Sequence, residues 1–113
     1  RAEDYPATDY RRKDPRLQGA NYDANMHVVA VIKKMAEKKH ITPSQLAIAW
    51  ILHKGEDFVP IPGTKRRIYL DENVAAAHVR LTPEEMKALD AALPKGSTAG
   101  PRYPEEMLKQ VRL

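Results

Sequence analysis

An incomplete α/β domain is the fold class this sequence predicts, on three observations. Helical periodicity with clear start signals recurs along the chain, and one short apolar run, FVPIP, reads as a strand. The most apolar helical segment also has more apolar surface than its neighbours in the sequence can cover. One strand cannot make a sheet, so the chain reads as the end of a larger α/β protein or as a piece that needs the other strands from a partner. Its 113 residues suffice for one domain and not for two.

Composition narrows the class further. Hydrophobic residues make up 42% and charged residues 30%, the balance of a soluble globular protein. With aromatics at only 6%, the core must be built from Leu, Ile, Val, Ala and Met. There is no cysteine, which excludes disulfides, thiolate zinc sites and cysteine nucleophiles. His27, His40, His53 and His78 lie too far apart in sequence to give a ligand spacing, so no metal is expected. No apolar run approaches a membrane span and the first residues do not form a signal peptide, so a cytoplasmic protein is expected. The net charge of +4 is compatible with an anionic ligand, and its placement matters more than its size.

The elements follow in order. Residues 1–25 are polar, without a period of 2 or 3.6, and read as a long lid-like loop anchored by Tyr5, Tyr10, Leu17 and Tyr22. Over 24–39, Met26, Val28, Val29, Val31, Ile32, Met35 and Ala36 form a helical stripe, with Lys33, Lys34, Lys38 and Lys39 toward water. Thr42, Pro43 and Gln45 give an N-cap, a first-turn proline and a capping box for a helix over 43–54, apolar nearly all round and ended by Gly55. Phe58 to Ile61 is the expected strand, with Pro60 and Pro62 limiting its pairing. A helix over 68–79 carries Leu70, Val74 and Ala77 on one face. Thr82, Pro83 and Glu85 repeat the start signal for 82–93, with Leu81 and Met86 as a hydrophobic staple and Pro94 as the stop. The tail, 95–113, holds a Gly-Ser-Pro linker and a weak amphipathic stretch at 104–111.

Chemistry concentrates in VPIPGTKRRIYLDEN, residues 59–73. A strand running through a turn into a helix presents the first-turn N–H groups and the positive end of the helix dipole, which together favour an anion. Gly63 permits close backbone approach, Thr64 adds a hydroxyl, and Lys65, Arg66 and Arg67 add charge-assisted donors. On GTKRR alone a solvated basic turn explains the charge equally well. Glu72 and Asn73 lie just inside the helix, where an Asn amide matches the N6 and N7 edge of adenine. Taken alone, both are ordinary helix-surface residues. With the basic turn they point to an adenosine phosphate.

The stretch from ITPSQLAIAW through VPIPGTKRRIYLDEN to LTPEEMKALDAAL resembles the C-terminal part of the aldo-keto reductases. DYRRKDPRLQGANYDAN resembles the loop after their seventh barrel strand, and GPRYPEEMLKQV their usual ending, so the likeness covers almost the whole chain. It implies a TIM (β/α)8 barrel, with 58–61 as strand eight and 68–79 as helix eight. The implied activity is reduction of aldehydes and ketones with NADPH. The implied cofactor residues are Pro62, Gly63, Thr64, Lys65 and Arg66 on the 2′-phosphate side, and Glu72 and Asn73 at the adenine edge. Many members carry lysine where Gly63 stands and arginine where Tyr69 stands; here Lys65 and Arg66 would compensate, and Tyr69 would lie against the adenine ring. The family's catalytic Asp, Tyr, Lys and His come from the first four strands and have no counterpart here. The chain is therefore expected to be the cofactor-binding segment without its catalytic tetrad, inactive and poorly folded alone. Its expected partners are the rest of the barrel and a small carbonyl substrate, not nucleic acid or membrane.

Two other readings compete. A non-catalytic nucleotide-binding or regulatory fragment would need the phosphate and adenine groups but no tetrad. A helix-turn-helix built from 24–39 and 43–54 would need Arg, Lys, Asn or Gln facing base edges. Helix 43–54 offers almost no donor after Gln45, which counts against it.

Overall fold

The computed structural model describes residues 1–111, and its regular structure is helical: α1 (Gly19–Lys38), α2 (Pro43–Leu52), α3 (Arg67–Ala75), α4 (Pro83–Ala92) and the single turn α5 (Glu105–Leu108). Short 3-10 turns lie at Ala2–Asp4, Tyr10–Lys13, Pro15–Leu17 and Ala76–His78. Arg112 and Leu113, the end of the predicted tail, lie outside the described residues. The chain divides into two compact units, Arg1–Val29 with Lys95–Leu113, and Ala30–Pro94.

In the first unit, side-chain caps replace the missing period. Asp9 accepts from the Arg11 N–H and Asp14 from the Arg16 N–H, each starting a 3-10 turn. The helix predicted from residue 24 begins earlier, at Gly19. The polar turns at its start are fixed by tertiary bonds. Asn21 donates to the Pro15 carbonyl, while Asn25 donates to the Arg16 and Ala99 carbonyls and accepts from the Ala99 N–H at 2.8 Å. Gly100 has φ +85°, and a Cβ there would sit 2.8 Å from Asn21 Nδ2, so only glycine fits.

In the second unit, both threonine start signals form as the sequence predicts. The Thr42 hydroxyl accepts from the Gln45 N–H at 3.1 Å and the Thr42 N–H donates back to Gln45 Oε1 at 3.1 Å. Thr82 and Glu85 repeat the box at 3.2 and 2.8 Å. α1 ends with His40 in the left-handed region (φ 56°), a conformation that costs a non-glycine residue about 1 kcal/mol. The reversal lets Ile41 return its N–H to the Ala36 carbonyl. Ala36, Leu46, Ala49, Leu81 and Leu89 form the buried core, with Trp50 and Met86 packed against it. Asp90 ties α4 to α2 by accepting from Trp50 Nε1 and Lys54 Nζ. Lys39 donates to both carboxylate oxygens of Glu85 and holds that carboxyl below its usual range.

The structure departs from the expected elements at 58–61 and at 68–79, and α2 keeps the uncovered apolar flank that its sequence implies. No strand forms at 58–61; among the described residues there is no strand at all, so the α/β class is not expressed within this chain. A strand exists only through a neighbouring backbone, and this segment has none; Val59 is 80% and Ile61 92% exposed. α2 is buried on one side only: Leu46 and Ala49 are covered, while Leu52 is exposed. The helix over 68–79 closes at Ala75 and tightens into the 3-10 turn Ala76–His78, which packs with α3 against α2.

Candidate functional site

Residues 62–66 approach α3 as extended chain, and the local bonding fixes how they arrive. The Thr64 hydroxyl takes the Arg66 N–H and reaches the Arg66 carbonyl, both at 3.2 Å, so its polar capacity shapes the turn. Arg66 occupies the N-cap of α3 with extended φ −119° and ψ 134°, and no side chain caps the helix. The Tyr69 N–H donates to the Arg66 carbonyl, which leaves the Arg67 and Ile68 N–H groups without a partner among the described residues, next in sequence to Lys65 and Arg66. Cations at the positive end of a helix dipole are unfavourable by about 0.3–1 kcal/mol each. Among the described residues no carboxylate pairs with Lys65, Arg66 or Arg67. The only aromatic contact among them sets the Arg66 guanidinium 5.9 Å from the Tyr69 ring centroid.

Lys65, Arg66 and Tyr69 border a hollow of about 720 Å³ lined also by Ser44, Gly63, Thr64, Glu72 and Asn73. Six of the seven residues predicted for a cofactor, Gly63, Thr64, Lys65, Arg66, Glu72 and Asn73, share it. Pro62 does not; it lines a neighbouring apolar groove of about 450 Å³ with Leu52, Val59, Leu70 and Val74. Gly63 faces open space, where a Cβ would meet nothing within 4 Å.

The two predicted base readers differ in what they bind. Glu72 Oε1 accepts from the Thr42 hydroxyl at 2.8 Å, and the Glu72 carbonyl accepts from Gln45 Nε2 at 3.1 Å. Its carboxylate therefore already holds the start of α2. Asn73 is half-buried, and its amide makes no hydrogen bond among the described residues. Ser44 was not foreseen. It reaches the hollow from the first turn of α2, twenty-odd residues upstream, and no local spacing in the sequence marks it.

Chemically the hollow offers two cations, Lys65 and Arg66, for an anion, and beside them an amide able to give and accept in one plane. The same unit leaves the apolar side chains Leu52, Val59, Leu70 and Val74 exposed. The chain belongs to the aldo/keto reductase family, whose profile matches residues 1–94.

Relatives agree. Over 102 residues the chain is 44% identical to aldo-keto reductase yakc [NADP(+)] of Schizosaccharomyces pombe, covering 90% of this chain and 30% of that protein. Probable aldo-keto reductase 1 of Glycine max is 41% identical over 101 residues, 89% of this chain and 29% of its own length. Aldo-keto reductase str7 of Strobilurus tenacellus is 41% identical over 100 residues, 88% of this chain and 30% of its own length. The chain thus spans under a third of these relatives. No solved structure matches it. No helix among the described residues is long and apolar enough to cross a membrane.

Proposed function

We propose that the intact protein reduces aldehydes or ketones to alcohols with NADPH, and that this chain binds the adenosine 2′-phosphate end of that cofactor. The observation that carries this is that Lys65 and Arg66, at the uncapped start of α3 and in no ion pair among the described residues, border the same hollow as the Asn73 amide. The donor set fits the group: Lys65 and Arg66 suit a dianionic phosphate, Arg67 adds to the local field, and Asn73 suits an adenine edge. Tyr69 supplies an aromatic face. One relative's name, yakc [NADP(+)], points the same way.

Bound NADPH supplies the hydride; the residues here bind and orient its far end. Holding that end contributes through positioning. No residue of this chain is assigned a catalytic role. The remainder of a TIM (β/α)8 barrel would bring the proton donor, the carbonyl pocket and the strands that cover Val59, Ile61, Leu70 and Val74. Residues 1–25 would serve as the loop after strand seven.

The test is cofactor preference in the full-length protein. Lys65→Ala with Arg66→Ala should remove most of the discrimination between NADPH and NADH in kcat/KM, weakening NADPH and leaving NADH nearly unchanged. Equal weakening of both would sink the 2′-phosphate assignment.

A further inference from the structure

The capping box of α2 is more than a helix start, because each of its two side chains also holds α3. The Thr42 hydroxyl accepts from the Gln45 N–H and donates its own proton to Glu72 Oε1 at 2.8 Å. The Gln45 amide is divided the same way: its oxygen accepts from the Thr42 N–H, and its nitrogen donates to the Glu72 carbonyl at 3.1 Å. Two of these four bonds reach residue 72, one through its side chain and one through its backbone, and the other two brace the donors within the start of α2. The neighbouring residue in α3 is Asn73, and the neighbouring residue in α2 is Ser44; both face the hollow. Glu72 is thereby tied to α2.

We propose that Thr42 and Gln45 are positioning residues of the adenosine-phosphate hollow, acting through Glu72 to fix Asn73 and the cationic turn in register. The proposal rests on the cofactor reading above. Either side chain alone could cap α2; a hydroxyl that must accept within α2 and donate to α3 is a stricter requirement. Serine meets it. Aspartate caps as well as threonine but has no proton to give, and it sets a second carboxylate against Glu72.

The experiment uses the full-length protein and adenosine 2′,5′-bisphosphate as probe, with calorimetric Kd and thermal midpoint measured for each variant. Wild type and Thr42→Ser should bind alike. Thr42→Asp should weaken the probe roughly tenfold, the scale of one lost hydrogen bond to a charged group, and lower the midpoint less than Thr42→Ala because the cap is kept. Glu72→Gln in the Thr42→Asp background should restore part of the affinity by removing the repulsion. Should Thr42→Asp fail to fold, Gln45→Glu tests the clamp from its other arm: it keeps the oxygen that takes the Thr42 N–H and loses the donor to the Glu72 carbonyl. It should weaken the probe severalfold. No binding by wild type removes the cofactor reading and this proposal together. Binding by wild type with unchanged affinity in Thr42→Asp or Gln45→Glu overturns the positioning role alone, as does a loss that tracks the thermal midpoint in every variant.

Discussion

α2 and α3 start in opposite ways within one unit. α2 has a threonine cap, a proline in its first turn and a reciprocal glutamine. α3 has an arginine at the cap, another at the first helical position, no acid in the first turn and no capping side chain. By local rules α2 is stable at its N-terminus and α3 is not. The weak start is where the cations gather, and the strong start is bonded to the same helix further along, at Glu72. An element that leaves its own donors unsatisfied is ready for an outside acceptor, and it needs a firm neighbour to hold it in place. The proposed site occupies the helix end whose local energetics are worst.

Removing each cap breaks the comparison most directly. Thr42→Ala should destabilise the full-length protein by about 2 kcal/mol, since it removes the cap and leaves Glu72 Oε1 without its donor. Thr82→Ala removes a cap with no such second bond to another helix and should cost about 1 kcal/mol. Urea denaturation of both variants measures the difference, and equal losses would show that the bond to Glu72 has no energetic weight.

Repairing the weak helix sharpens the comparison from the other side. Arg66 already has the extended backbone that an N-cap requires. Arg66→Asp should therefore cap α3, complement its dipole and raise stability by about 0.5–1 kcal/mol. It should also sharply reduce affinity for a 2′-phosphate. A variant that loses stability would mean that the α3 start is not strained electrostatically.

Much of this was legible in sequence because it is local. Both capping boxes, the α4 staple partners and the basic turn depend on residues within a few positions of one another. The expected strand at 58–61 does not form in this chain, because apolar residues describe a strand's faces while its existence depends on a neighbouring backbone. The start of α1 at Gly19 was missed because Asn21 and Asn25 hold it through carbonyls that no period reveals. At the site, GTKRR was readable by charge, whereas the second role of Glu72 depends on Thr42, thirty residues away. Ser44 enters the hollow by the same packing.

The smallest expected effect is at the other capped helix, α4. Lys39 reaches across to Glu85, the residue that closes the α4 box, at 2.7 and 2.9 Å. That ammonium first, and the Thr82 N–H second, depress the Glu85 carboxyl below its ordinary value of 4.5. A carboxyl depressed in the folded state contributes stability above its unfolded pKa and loses it as pH falls through the folded value. The pair is partly exposed, with Glu85 at 36%, so screening keeps Lys39→Met to roughly a few tenths of a kcal/mol near pH 7. The stability gap between wild type and Lys39→Met should hold steady above pH 5 and narrow below 4.5, and added salt should shrink it. A gap that persists at pH 3 would assign the effect to packing of the lysine stem. The Thr82 box survives in the variant, so α4 should keep its start where α3, with nothing but cations at its cap, depends on what binds there.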